Sequence, residues 1–417
     1  MEALTLPVLD AQDVLWLRDQ EALPAAARGA SVSLARRIGF DEQRCAEVAL
    51  AVSEAATNLR RHAVGGTFLL RTVRTPDDAG VEFVTLDDGP GMADVAHSLT
   101  DGTSTGGTLG IGLGAISRLA DFFDLHSVPG RGTVLTARFW TKEAARRMAA
   151  CGRPVVEGLT RTISGEDVCG DAWFARRAGS PVDAGRGLRR TGVPGPATEP
   201  ERSPDAALGW AQLTGFRPAG NASRPAAGNA SRPAAGTPST PAGGAGSDEP
   251  ALLVLFCDGL GHGPLAGQAA QAAVTAFRDS TAEQPDAMLM DIHRALRGGR
   301  GGAVAVVRIE PRRETLYFCG IGNVSTFVVD PATGNRRTLS SAPGIVGHQM
   351  PTLRVVQQSL PRNSAVIMHS DGLTERWQAA GLPGFLERSP LVAAAQLLRE
   401  AGVRRDDAGV VVAKGPW

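Results

Sequence analysis

Glu54 and Asn58 stand four residues apart in AEVALAVSEAATNLRR (Ala46 to Arg61), whose apolar spacing is that of an amphipathic helix, so both side chains share one face. A carboxylate and a carboxamide so placed can activate a hydroxyl and help hold a hard cation. Asp87 follows a short apolar run, Val81 to Leu86, that reads as a buried strand, and it enters a turn built from Gly89, Pro90 and Gly91. Further on, Gly106, Gly107, Gly110, Gly112 and Gly114 lead into Ala115 to Phe123, a segment predicted as helix from the spacing of Ile116, Leu119 and Phe122/Phe123. Glycines ahead of a helix suit phosphate, because bare N–H groups and the positive end of the helix dipole can approach an anion closely. The spacing fits neither the Walker lysine pattern nor the Rossmann fingerprint, and a glycine-rich loop alone identifies little.

Taken in order, E-x-x-x-N at Glu54/Asn58, D-x-G-x-G at Asp87/Gly89/Gly91 and G-x-G-x-G at Gly110/Gly112/Gly114 resemble the N, G1 and G2 boxes of the GHKL (Bergerat) ATP-binding fold. Within that fold, LGIGLGAISRLADFF and PGRGTVLTARFW most resemble the RsbT-type and RsbW-type serine kinases, over roughly Asp10 to Trp140. The resemblance implies that Asp87 bonds the adenine amino group and that Asn58 holds Mg²⁺ against the ATP phosphates. It further implies that the 106–114 loop closes over those phosphates and that Glu54 is the base orienting a substrate serine. His62, directly after the N box, is read as a structural or phosphate-neighbouring residue, since Glu54 already serves as base.

A second set is acidic. Asp171 stands at the lip of the strand Ala172-Trp173-Phe174, and Leu252 to Cys257 ends at Asp258-Gly259. Ser364 to His369 leads to Ser370-Asp371-Gly372, and Asp406-Asp407 precede Val410 to Val412. Converging carboxylates repel unless cations sit among them, and hard oxygen ligands suit Mg²⁺ or Mn²⁺. Two such ions can clamp a phosphate for in-line attack by water.

The order GD (Asp171), DGLGHG (Asp258 to Gly263), SDGL (Ser370 to Leu373) and DDA-x-VVV (Asp406 to Val412) resembles the SpoIIE and RsbX-type branch of the PPM serine/threonine phosphatases, over about Val155 to Gly415. The resemblance implies that Asp171 and Asp258 bridge two metals, that Gly259 gives a backbone carbonyl, and that Asp371 and Asp406 bind the second metal. Between Asp406 and Asp407 the usual pattern favours the first. Gly409 departs from the threonine common in this branch, so the hydrogen bond bracing the Asp406 loop is expected to be missing. For His262, tuning a metal-bound water and stabilising the turn both stay open.

A chain of 417 residues with 43% hydrophobic content allows two or three domains. Charge is balanced, with 43 basic and 43 acidic residues, which argues against a general nucleic-acid or anionic-membrane surface. Five cysteines without a C-x-x-C pair suggest reduced thiols. No run approaches the roughly 18 apolar residues of a membrane span, and Met1 to Asp10 lacks a signal-peptide pattern, so the expectation is a soluble cytoplasmic protein. Phe68 to Val73 and Val81 to Leu86 are predicted strands, and Asp124 to Ser127 with Thr133 to Trp140 a hairpin through PGRG. Ala30 to Ile38 and Thr141 to Ala150 are predicted helical, as is Ala266 to Phe277. Gly302 to Ile309 with Thr315 to Gly320 form a further predicted hairpin, followed by a strand at Ser325 to Val329. Gly179 to Asp248 turns to Gly, Pro, Ala and Ser, repeats GNASRPAA in tandem at 220–227 and 228–235, and is expected to be disordered.

The expected architecture is α+β: a GHKL α/β sandwich over 1–142, a connector at 143–154, and a PPM-type αββα sandwich over 155–417 carrying the 179–248 insertion. The expected function is bifunctional, with an ATP-dependent serine/threonine kinase-like half and a metal-dependent phosphatase half acting on STAS-domain anti-sigma antagonists. The alternative is a phosphatase whose GHKL half serves only as an ATP-dependent partner-binding or anti-sigma module contacting a sigma factor. Neither nucleic acid nor membrane is an expected partner, and a homodimer is among the arrangements considered.

Overall fold

The computed structural model describes residues 8–18, 21–99, 112–151, 153–179, 250–403 and 405–415, all within one compact unit. Gly110 with the rest of the glycine run up to 111, and the insertion apart from Gly179, lie outside the described residues.

The first sandwich runs β1 (Asp10–Arg18), α1 (Leu23–Ile38), α2 (Glu42–His62), β2 (Thr67–Arg74), β3 (Ala79–Asp87), α3 (Val95–Ser98), α4 (Gly112–Leu119), β4 (Phe122–Ser127) and β5 (Thr133–Phe139). The strands form one antiparallel sheet in the order β1-β2-β3-β5-β4. Asp41 caps α2 by accepting the Arg44 N–H at 2.7 Å, and the helix buries Val48, Val52, Ala55, Ala56 and Leu59. Alternation along the strands sends Phe68, Leu70, Val81 and Phe83 into the core under α1 and α2. Leu69, Val84, Leu86 and Val134 point the opposite way, and that face is buried too.

Helix α5 (Lys142–Cys151) leads to the second sandwich. Its elements are β6 (Val156–Arg161), β7 (Asp171–Arg177), β8 (Leu252–Gly259), α6 (Pro264–Asp279), α7 (Pro285–Leu296), β9 (Gly302–Glu310), β10 (Thr315–Ile321), β11 (Ser325–Val329), β12 (Arg336–Leu339), β13 (Val356–Ser359), β14 (Ala365–His369), α8 (Pro390–Ala401) and β15 (Ala408–Lys414). Two antiparallel sheets, β13-β10-β9-β8-β7 and β12-β11-β14-β15-β6, enclose a core that includes Val254, Phe256, Met368 and Val411. Helices α6 and α7 cover the outer face of the first sheet through Phe277, Met288 and Ile292. Helix α8 covers the second. This is the expected αββα arrangement.

Helix α8 also covers the back of the first sandwich: Leu391, Ala394 and Leu398 share one cluster with Leu69, Val84, Leu86 and Val134 on one side and Leu159, Ile367 and Val412 on the other. A buried ionic chain crosses the same seam. Arg138 of β5 donates to Glu82 Oε1 at 2.8 Å and pairs with Glu157 of β6, whose second oxygen accepts the Leu391 N–H at 3.3 Å.

One sequence expectation needs correction. The helix expected through Phe123 stops at Leu119, because Asp121 accepts the Trp140 N–H at 2.7 Å and pairs with Arg44, turning the chain so that Phe122 and Phe123 begin β4. Strand β1 and helices α7 and α8 were not anticipated. All five cysteines are free, and no helix among the described residues is long and apolar enough to cross a membrane. Glu157→Ala leaves Arg138 buried with only part of its counter-charge, and is expected to lower unfolding stability by about 3–5 kcal/mol, read as a shifted urea midpoint at unchanged slope. A loss below about 1 kcal/mol would show that the seam does not depend on this pair.

Candidate functional site

The nucleotide-type residues come from α2, β3 and α4. Glu54 and Asn58 lie one turn apart and half-buried, while their neighbours Ala55, Ala56 and Leu59 fill the core. Asp87 ends β3, and its Oδ1 accepts the Gly89 N–H at 2.8 Å. The turn is fixed from both sides: Asp88 N–H donates to Val64 O at 2.9 Å just past α2, and Gly130 N–H donates to Pro90 O at 2.7 Å. Gly91 has φ +65°, and the space a Cβ would need is filled by the Val128 carbonyl, so only glycine fits. Exposed His62 ends α2 with its backbone carbonyl against Gly89, a structural position. Gly112 opens α4 and Gly114 is buried in its first turn.

Burial pushes the Asp87 carboxyl up, opposed by the Gly89 N–H and by the Arg399 guanidinium. A desolvated carboxylate at the end of a rigid strand suits one specific ligand donor such as an amino group. That chemistry fits the adenine edge.

The acidic residues gather at one end of the second sandwich. Asp171 and Asp258 face each other across β7 and β8. Asp371 follows β14 and Asp406 precedes β15, both exposed. Burial raises the Asp171 carboxyl well above the usual range, and Asp258 adds to that. Asp258 is pushed up to about 7 by burial and then by Asp371, Asp406 and Asp407, and Asp371 is raised by burial and by Asp406. Asp171 Oδ2 accepts the Ser370 hydroxyl at 2.6 Å, whereas its buried Oδ1 has no partner. An orphaned carboxylate oxygen among mutually repelling carboxylates fits a divalent cation held by hard oxygen donors. Among the described residues no three His, Cys, Asp or Glu side chains are drawn close enough to hold an ion unaided. What the chain presents is the cross-strand pair Asp171/Asp258 and the loop pair Asp371/Asp406, with Gly259 closing β8 against Gly170, whose carbonyl accepts the Gly259 N–H at 2.9 Å.

The tandem acids are used differently. Asp407 is buried, and its two oxygens accept the Ile163 and Gly170 N–H groups, each at 2.7 Å. The Asp406 carboxylate is exposed, with Oδ1 accepting the Asp407 N–H at 2.9 Å. No hydroxyl fits at position 409, where a Cβ would meet the Phe256 ring at 2.8 Å and Asp171 Cβ at 3.0 Å. Ser370 supplies the missing brace, its hydroxyl accepting the Gly409 N–H at 3.1 Å while donating to Asp171. At Gly372 the Asp407 carbonyl occupies the space of a Cβ, so the Asp371 and Asp406 loops interlock only through glycine.

Sequence reasoning missed Asn323, which donates to Asp371 Oδ2 at 2.7 Å from the turn between β10 and β11. It also missed Glu166, which lies 3.0 Å from His262 Nδ1 and gives that ring a turn-holding partner. Neither has a motif around it that would have singled it out.

Residues 17–139 match the family model of the histidine kinase-like ATPase domain, and residues 248–414 that of stage II sporulation protein E. Over 117 residues the chain is 36% identical to the serine/threonine-protein kinase RsbT of Bacillus subtilis (strain 168), covering 28% of this chain and 88% of that protein. Over 127 residues it is 22% identical to the phosphoserine phosphatase RsbX of the same organism, covering 30% of this chain and 63% of that protein. A crystal structure of RsbX in complex with magnesium matches with 15% identity and a TM-score of 0.39, over 62% of this chain and 92% of that one. The chain therefore belongs to the histidine kinase-like (GHKL) ATPase family through its first sandwich, related to RsbT, and carries a SpoIIE-family PPM phosphatase domain in its second.

The folded-state pKa of Asp258, about 7 against 3.8 for the free side chain, carries a sign. The metal-free fold gains from that proton fully below about pH 4, and loses the gain as pH rises through 7. Asp258→Asn is thus expected to raise the thermal midpoint of metal-free protein near pH 8 and to leave it almost unchanged near pH 4. Calorimetry at both values checks this, and equal shifts would remove the shared-charge account.

Proposed function

We propose that this chain is a bifunctional regulator of a partner-switching pathway, working on serine or threonine side chains of STAS-type anti-sigma antagonists in the cytoplasm. The division between its halves falls in the 143–154 connector. The observation that carries the reading is the pairing, within one compact unit, of the rigid Asp87 turn with four mutually repelling aspartates whose innermost oxygen lacks a partner.

In the first half, Asp87 recognises the adenine amino group, and Asn58 holds Mg²⁺ beside the phosphates of ATP. The N-terminal turn of α4 at Gly112 and Gly114 faces those phosphates, and Gly110, the remaining glycine of that motif, lies outside the described residues. Glu54 orients the substrate hydroxyl and takes its proton as the γ-phosphoryl group of ATP passes to the serine oxygen and ADP leaves. Positioning and charge neutralisation supply most of what this transfer needs.

In the second half, Asp171 and Asp258 together hold two Mn²⁺ or Mg²⁺ ions, with Gly259 O, Asp371 and Asp406 completing the oxygen donors. When bound, the ions lower the pKa of water and neutralise the phosphate. Ser370 and Asn323 keep Asp171 and Asp371 aimed, and Asp407 holds the loop backbone. Water attacks phosphorus and the serine oxygen leaves with a proton, releasing inorganic phosphate.

Asp258→Ala and Asp371→Ala are expected to cut Mn²⁺-dependent hydrolysis of a phosphoserine STAS protein by at least about a hundredfold, and Asn323→Ala to weaken metal affinity about 10–100-fold. Unchanged turnover in the aspartate variants would remove the metal-site reading. Asn58→Ala and Asp87→Ala are expected to abolish ATP binding by calorimetry, and normal affinity would refute the nucleotide reading. Labelled ATP with candidate STAS proteins tests the kinase arm, where Glu54→Ala should lose transfer yet keep binding.

A further inference from the structure

Helix α8 belongs to the phosphatase domain, yet its last turn reaches the nucleotide turn of the other domain. Arg399 Nη1 donates to Asp87 O at 2.9 Å and to Arg131 O, and lies 3.4 Å from Asp88 Oδ1. Its side chain is only 6% exposed, so the guanidinium is built into the seam and is not a surface charge. Arg131 in turn donates to Gly381 O, tying the PGRG turn to the phosphatase domain a second time.

The residues immediately after Arg399 hold the Asp371 loop. Thr374 N–H donates to Ala401 O at 2.9 Å, Val403 N–H donates to Gly372 O at 2.7 Å, and Leu373 bridges Gly402. Gly372 interlocks with Asp407 and so with the Asp406 loop. Five consecutive residues, Arg399 to Val403, therefore touch both the turn that carries Asp87 and the loop that carries Asp371 and is locked to Asp406. The other end of α8 is pinned as well, the Ser389 N–H donating to Asp124 Oδ2 at 2.7 Å. A helix buried between two sheets and fixed at both ends moves as a body, if it moves at all.

We propose that α8 couples the two sites, with Arg399 the positioning residue: adenine nucleotide at the Asp87 turn steadies the Asp371 loop and raises phosphatase efficiency. The sign follows from sharing. Both segments hang from one helical turn, so a ligand that orders either spares the other part of its ordering cost. Linkage makes the binding part of the effect reciprocal: metal at the aspartates tightens nucleotide binding by the factor by which nucleotide tightens metal. This inference rests on the nucleotide reading of the first site.

The test is amide hydrogen exchange on the full chain at constant Mg²⁺, with and without ADP, alongside calorimetric titration of ADP. Exchange at Leu373 to Arg376 and at Val403 is expected to slow about fivefold or more when ADP binds, and kcat/KM on a phosphoserine protein to rise by a similar factor. In Arg399→Lys, which keeps the charge but loses the planar fork, and in Arg399→Ala, the slowing is expected to vanish at saturating ADP. Binding of ADP that protects only residues 54–63 and 87–92 would overturn the coupling and leave the nucleotide site standing. Slowing that survives in both Arg399 variants would overturn the role given to Arg399, and absence of ADP binding would bring down the nucleotide reading with the coupling.

Discussion

The burial of α8 on two sides is the constraint on which the remaining structure depends. A helix on the outside of an αββα sandwich ordinarily shows one apolar stripe and one polar face. Here Pro390 to Leu398 are buried all the way round, because the sheet of the kinase-like domain supplies a second wall. That sheet in turn has no solvated face: α1, α2 and α4 cover its front and α8 its back. Each domain thus completes the other's core, and the Arg138–Glu157 pair is sealed in the same seam.

The phosphatase end is governed by the opposite kind of force. Burying several like charges is costly, and the fold manages it by giving each acid a different set of contacts. Asp407 accepts two backbone N–H groups, Asp171 one hydroxyl, and Asp371 the Asn323 amide. The oxygens left over are those that a cation would use. At the nucleotide end a single carboxylate is desolvated against a rigid turn, and the problem is geometric, met by Gly91 and by the Pro90–Gly130 contact.

Much of this was legible in the residues. Motif order gave both fold classes, and short continuous apolar runs located most of the strands that carry the aspartates. The gaps have physical causes. Phe122 and Phe123 keep helical spacing with Leu119, and only the long-range pull of Trp140 and Arg44 on Asp121 makes them strand. An apolar run such as LVAAAQLL announces burial without saying against what. Asp406 and Asp407 are chemically identical neighbours, so only the donors at Ile163 and Gly170 separate them. Asn323 sits in a turn 48 positions from Asp371, and Arg399 lies 312 positions from Asp87, separations that no local pattern spans.

The two-sided burial of the kinase-like sheet has a consequence for anyone dividing the polypeptide. Cutting at the connector would leave one product with Leu69, Val84, Leu86 and Val134 bared to water and the other with the matching strip of Leu391 and Leu398. Each piece would be sticky in proportion to that newly wetted oil, so solubility, rather than chemistry, ties the two domains together.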